Sequence, residues 1–339
     1  MWPSTLSLAK GIAQGSRVSL SRAITLVESS RSDHRKQAER LLDYVFEHNP
    51  RSQDTIRVGI AGPPGTGKST FIESLGLHLT ERGEKVAVIS IDPTSLRTGG
   101  SILGDKTRME CLTRSPDAFI RACPSKCLLG GLAPYTNDVV HICESGGYGV
   151  VLVETVGLGQ SEVEVQQTVD VLMLMLPPVG GDDLQGAKKG IVEVADVVVV
   201  NKADGDMTRA AALTACDYAA AMRLSQRKYL HWEVPVLTCS ALTKKGVKEV
   251  WATVEQFSSS LKQRGIFEAR RKEQGVHWLM WELTHMLTER IKGDQEVLDM
   301  ASKLVETRVG QRAGAKELLQ LFMTASRKPS SSPDTIPAP

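Results

Sequence analysis

Between residues 62 and 70 the chain reads Gly62-Pro63-Pro64-Gly65-Thr66-Gly67-Lys68-Ser69-Thr70. Glycines at these intervals let a backbone curl so that successive N–H groups converge on an anion. A helical pattern follows from Lys68 to about Arg82, and the N-terminus of such a helix adds its positive dipole end. Lys68 can reach the outer phosphates of a nucleotide, and the Ser69 hydroxyl suits Mg²⁺. The apolar run Ile56–Ala61 ahead of the loop supplies a strand, which completes the strand–loop–helix context of G-x-x-x-x-G-K-[ST]. These residues predict a nucleoside triphosphate site.

A second polar cluster chooses the base. Asn201-Lys202-Ala203-Asp204 follows a buried strand directly. The Asp204 carboxylate can accept from both the ring N–H and the exocyclic amine of guanine, a donor pair that adenine lacks. Lys202 can lie against the base while Asn201 braces the loop. Ser240-Ala241-Leu242, after the last strand, suits a loop whose backbone N–H meets the guanine oxygen. GTP is favoured over ATP.

Metal and switch candidates come from three further loops. Glu154-Thr-Val-Gly157 ends an apolar strand. Glu154 can hold Mg²⁺ through a water there, and Gly157 can sense the γ-phosphate. Asp92, at another strand end, is a second candidate for the metal shell, and Asp105 could orient water or metal. Leu158 directly follows Gly157, where a water-positioning glutamine is common, and Gln160 is displaced along the chain. Intrinsic hydrolysis is therefore expected to be slow and partner-accelerated. The glycine-rich, charged stretch from Gly180 to Lys189 reads as a further switch loop. Cys123 and Cys127 could form half a zinc site, but no second pair at suitable spacing stands nearby, so isolated thiols are the preferred reading.

The elements that must position these loops are strands apolar on both faces. The runs fall at 56–61, 85–91, 149–154, 171–176, 196–201 and 234–238, separated by helical stretches. That pattern predicts an α/β fold with a mostly parallel sheet covered by helices on both faces. The polar motifs fall at the carboxyl ends of the strands, where such sheets gather function. Residues 1–53 read as an N-terminal helical extension, with a possible short leader at the start, because Lys10, Arg17 and Arg22 sit among serines with no acid before Glu28. Residues 54–262 form the nucleotide domain, 263–326 a C-terminal helical arm, and 327–339 a Pro/Ser-rich disordered tail. Trp278 and Trp281 at helical spacing suit a packed helix face or a dimer contact.

Composition sets outer limits. The 339 residues include 41% hydrophobic and 24% charged positions, ordinary for a soluble globular protein. A formal net charge of +2 makes no electrostatic case for nucleic acid. No apolar stretch approaches the roughly 20 residues of a membrane span. The six cysteines are dispersed, which suits a reducing compartment.

Taken together these stretches closely resemble one family, the methylmalonic aciduria type A protein and its bacterial MeaB-like counterparts. Besides the loops above, the resemblance is carried by Arg22-Ala-Ile-Thr-Leu-Val-Glu-Ser29, Asp92-Pro-Thr-Ser95, Gly99 to Met109, Glu154 to Glu162, Gly181-Asp-Asp-Leu-Gln-Gly186 and Arg270-Arg-Lys-Glu-Gln274. It implies a P-loop GTPase using GTP/GDP and Mg²⁺ as a chaperone of methylmalonyl-CoA mutase. That role gates adenosylcobalamin delivery, which brings in the adenosyltransferase indirectly, and guards the mutase from inactivation. It also implies a homodimer held partly by the C-terminal arm, no nucleic-acid or membrane partner, and residence in the mitochondrial matrix, or the cytoplasm of a bacterium. By position Lys68, Asp105 and Glu154 take catalytic roles, and Ser69, Asp92 and Glu154 the metal. The stretch Arg121 to Gly130 departs from the family pattern. Two other readings compete: a metallochaperone GTPase that inserts nickel, which would want a His-rich or multi-Cys segment, and a kinase of a transport protein, which would need a second substrate cleft.

Overall fold

Val, Ile and Leu runs that are apolar on both faces cannot remain in water, and they line up side by side in one buried sheet. The strands are β1 (Ile56–Ala61), β2 (Val86–Asp92), β3 (Ala118–Pro124), β4 (Val150–Glu154), β5 (Val171–Leu176), β6 (Val197–Val200) and β7 (Val236–Thr238). Their order is β3-β2-β4-β1-β5-β6-β7, and every neighbouring pair is parallel. The computed structural model describes residues 4–29, 31–48, 54–92, 109–124, 135–155, 164–178, 193–224, 228–307 and 309–325, with 92, 124 and 325 in backbone only. The readings placed on Asp105, Gly157, Leu158, Gln160, Cys127 and the loop 180–189 lie outside the described residues.

The sequence reading finds six of these strands and misses β3. Arg121 interrupts that apolar run, and the strand lies at the sheet edge, where one long side needs no partner. It pairs along its whole length with β2, from Val86 opposite Ala118 to Asp92 opposite Pro124.

Helices follow from the crossovers that parallel strands require. On one face lie α4 (Lys68–Glu81) and α8 (Val247–Gln263), which bury Phe71, Ile72, Leu75, Val250, Val254 and Phe257 against Val58, Val88 and Leu152. A short helix α5 (Glu110–Arg114) closes on α4, where Leu112 fills the space left by Gly76. The opposite face presents the alternate strand residues, such as Ala87, Val151 and Leu172, all fully buried. Helix α6 (Thr136–Ser145) packs on β4, and α7 (Thr208–Leu224) on β6 and β7.

The N-terminal extension is three helices: α1 (Thr5–Ala13), α2 (Arg17–Val27) and α3 (Ser32–His48). They pack on one another and on α6. Leu8, Ala9 and Ile12 of α1 are buried in this bundle.

Two compact units emerge, Met1–Gly275 and Val276–Pro339, which divide within helix α9 (Ile266–Lys292). In the first unit, the opening turns of α9 bury Phe267, Arg270, Arg271 and Gln274. The guanidinium of Arg271 donates to both carboxylate oxygens of Asp170 at 2.9 and 2.7 Å. Arg57 does the same to Glu144 at 2.7 Å each. Gln274 caps the carbonyls of Gln166 and Val169. In the second unit, α9 continues, followed by α10 (Gln295–Glu306) and α11 (Gln311–Ala325), which pack together. On the later part of α9, Val276, Leu279, Met280, Leu283, Met286 and Leu287 are exposed.

Candidate functional site

The carboxyl ends of β1, β2, β4, β6 and β7 meet along one edge of the sheet, and each delivers one of the polar motifs. After β1 the chain turns through Gly62–Gly67 into α4. Gly67 caps that helix with φ 87°, a left-handed conformation that a side chain would strain. A Cβ on Gly62 would lie 2.2 Å from the Met175 carbonyl oxygen, so only glycine lets the loop pass over β5. No side chain caps α4 and no acid stands in its first turn among the described residues, which leaves its positive end to the loop.

Lys68 is buried, and its ammonium donates to the carbonyls of Gly62 at 2.8 Å and Pro63 at 3.3 Å. Thr66 closes the turn by donating to Pro63 O at 2.9 Å. The Ser69 hydroxyl donates to Glu154 Oε1 at 2.9 Å, which brings these two metal candidates together. Asp92 ends β2, the strand next to the β4 of Glu154, on the same edge.

Asn201 joins the two halves of the site. Its amide nitrogen donates to Thr66 O at 2.8 Å, and its Oδ1 accepts from Ala241 N at 3.0 Å. Burial pushes the Cys239 thiol up to about 12, so it stays protonated and donates to the same Oδ1 at 3.5 Å. Lys202 adopts φ 61°, strained for a residue with a Cβ, which aims the next residues around the loop. Asp204 is half-buried and starts a short 3-10 turn, Gly205–Met207.

The last loop departs in detail from the sequence reading. The amides of Ser240 and Ala241 both have internal partners, Lys245 O and Asn201 Oδ1. The Ser240 hydroxyl accepts from Thr243 N and so closes its own turn. Leu242 is 78% exposed and stands at the rim. One buried group escaped the sequence reading altogether: Ser90, on β2, whose hydroxyl faces Glu154. The signal was a hydroxyl within an otherwise apolar strand.

A parallel sheet whose strand ends carry a glycine loop with lysine, an Asn-Lys-x-Asp turn tied to that loop, and a Ser-Ala turn defines a P-loop GTPase. The family model described as Methylmalonyl Co-A mutase-associated GTPase MeaB matches residues 20–296, and the chain belongs to that family. It is 49% identical over 308 residues to a probable GTPase of Mycobacterium tuberculosis, covering 91% of this chain and 90% of that one. The mouse methylmalonic aciduria type A homolog, described as mitochondrial, is 44% identical over 81% of this chain and 68% of its own. A crystal structure described as a LAO/AO transport system kinase superposes with TM-score 0.74 at 34% identity, covering 94% of this chain and 98% of that one. The chain is a guanine-nucleotide-binding GTPase.

Proposed function

We propose that this GTPase is a chaperone of methylmalonyl-CoA mutase, and that GTP hydrolysis gates adenosylcobalamin delivery and protects the mutase from inactivation. The mutase is named in the family's description, and the mouse relative carries the name of the corresponding aciduria. The adenosyltransferase that makes the cofactor would be an indirect partner. The observation that carries the nucleotide chemistry is the Asn201 bridge, which sets the base-reading turn at a fixed distance from the phosphate loop.

Lys68 would leave the carbonyls of Gly62 and Pro63 for phosphate oxygens, exchanging neutral acceptors for charged ones. Amides of the loop Gly62–Thr70 would hold the remaining oxygens. Asp204 would take the guanine edge, Lys202 and Leu242 its faces, and Ser240-Ala241 the carbonyl side after their internal bonds rearrange. Ser69 and Glu154 form an oxygen-only donor pair, which is the chemistry a hard cation such as Mg²⁺ accepts, and Asp92 would complete the shell. That ion would supply charge neutralisation at the phosphates. Asp105 and Gly157 keep their proposed places in the catalytic and γ-phosphate-sensing loops.

The exposed residues Val276, Leu279, Met280, Leu283, Met286 and Leu287 recur at helical spacing. A second copy of the chain would cover them, which supports a homodimer. No described helix is long and apolar enough to cross a membrane. The compartment would be the mitochondrial matrix, as for the mouse relative, or the cytoplasm in a bacterial host. Leu158 after Gly157 supports slow hydrolysis in the isolated protein.

Pull-down with methylmalonyl-CoA mutase, loaded with a GTP analogue and then GDP, tests the chaperone role. Nucleotide-dependent association is expected; none in either state would overturn it. The kinase named for the structural neighbour predicts a phosphoprotein from labelled GTP, whereas the chaperone reading predicts free phosphate alone.

A further inference from the structure

We propose that Ser90 is a positioning residue for Glu154, and through it for the cation that accompanies the nucleotide. The inference rests on the reading of Ser69 and Glu154 as the metal-holding pair.

Strand β2 runs Val86-Ala-Val-Ile-Ser-Ile91, buried throughout, and a hydroxyl in such a place is costly unless bonded. Its hydrogen bond goes to Glu154 Oε2 at 3.4 Å. Ser90 is the register partner of Glu154 across the parallel β2–β4 pair, so the two side chains leave the sheet on the same face. Ser69 donates to the other oxygen, Oε1, at 2.9 Å. The carboxylate is thus held on both oxygens by hydroxyls from two different elements, α4 and β2.

The physical need follows from the residue type. Glutamate has one more rotatable bond than aspartate, and ordering it costs more rotamer freedom. The Ser69 bond anchors the carboxylate at Oε1. A second donor on Oε2 fixes its plane. Ser69 meanwhile keeps oxygen lone pairs for a cation while its hydrogen points at Glu154. Ser90 therefore supplies orientation at a strand end that carries a longer acid.

The test compares wild type, Ser90→Ala, Ser90→Thr, Glu154→Gln and the double variant Ser90→Ala with Glu154→Gln. Mn²⁺ is titrated into GDP-loaded protein and free Mn²⁺ is read by electron paramagnetic resonance. GDP affinity in EDTA and melting temperature are measured alongside. Ser90→Ala should weaken Mn²⁺ binding about 3- to 10-fold, the worth of one hydrogen bond, with GDP affinity in EDTA unchanged. Ser90→Thr should bind Mn²⁺ within about 2-fold of wild type, since the hydroxyl is kept on a residue that strands accept. In the Glu154→Gln background, removal of the Ser90 hydroxyl should cost less than it does in wild type. Equal losses in both backgrounds, or no loss in Ser90→Ala, would overturn the role of Ser90 while leaving the metal pair in place. Wild-type protein whose Mn²⁺ affinity is unaffected by Glu154→Gln would instead overturn the metal reading, and this inference with it.

Discussion

The side-chain amide nitrogen of Asn201 lies 2.8 Å from the carbonyl oxygen of Thr66, 135 residues earlier in the chain. A Cβ on Gly67 would come within 2.8 Å of that same nitrogen, so the absence of a side chain at 67 is what lets the asparagine approach the loop. The Asn201–Asp204 turn and the Gly62–Ser69 loop are therefore tied together by a buried amide that serves three partners.

Asn201→Ala should leave Thr66 O and Ala241 N without their partner. Unpaired buried groups of this kind cost about 1–3 kcal/mol. The melting temperature should fall, and affinity for GTP should drop at least about 10-fold, as the two loops lose their common brace. Calorimetry on the folded variant reads the second effect separately from the first.

Lys68→Ala should lower GTP affinity by about 10- to 100-fold, the worth of charge-assisted bonds to phosphate. Lys68→Arg should not restore it, because a planar fork cannot replace a point charge folded inside its own loop. Fluorescent-nucleotide titration checks both.

Arg271→Ala should strip Asp170 of its two-pronged partner in the buried network beneath the sheet. Removal of one member of a buried ion pair costs about 3–5 kcal/mol, so the urea midpoint should fall steeply. The nucleotide loops lie at the other end of the strands, so GTP affinity of the folded variant should hold near wild type.

Glu144 belongs to the same network and carries a pH signature. Burial alone would push its carboxyl up, but the hydrogen bond from His141 and the charge of Arg57 outweigh burial and hold it well below the usual carboxylate range. A depressed folded value gives stability that is complete above the unfolded value of about 4.3 and is lost as pH falls towards the folded one. Unfolding midpoints should drop below about pH 4.3, and the drop should be shallower in Glu144→Gln, whose midpoint is lower at neutral pH.

Paired substitutions Leu279→Glu and Leu283→Glu, on the exposed stripe of α9, should convert the proposed homodimer to monomer. Sedimentation velocity reads the state. GTP affinity should be unaffected.

Much of this was legible because buried parallel strands leave continuous apolar runs, and because Gly62–Ser69 and Asn201–Asp204 carry their chemistry within a few residues. Ser69 and Glu154 were each legible as candidates from their motifs, but the hydrogen bond between them was not. Strand β3 was hidden by Arg121 and by its edge position, where alternation and burial both weaken. The buried roles of Arg57, Arg270 and Arg271 were not legible, since their acids stand 74 to 127 positions away on other parts of the chain. Arginines in sequence look like surface until a partner is placed beside them. The internal bonds of Ser240 and Ala241 depend on a turn geometry that no local motif encodes.

In the proposed reading, one edge of the sheet binds a triphosphate and selects guanine through Asp204. Calorimetry with GTP, ATP and XTP on wild type and Asp204→Asn tests it directly. Wild type should bind GTP at least about 100-fold more tightly than ATP, since a desolvated carboxylate left without its donor pair is heavily penalised. Asp204→Asn should shift preference towards XTP, whose second ring carbonyl accepts where guanine donates. Equal affinity of wild type for ATP and GTP, or an Asp204→Asn protein that still prefers GTP, would contradict guanine selection by Asp204.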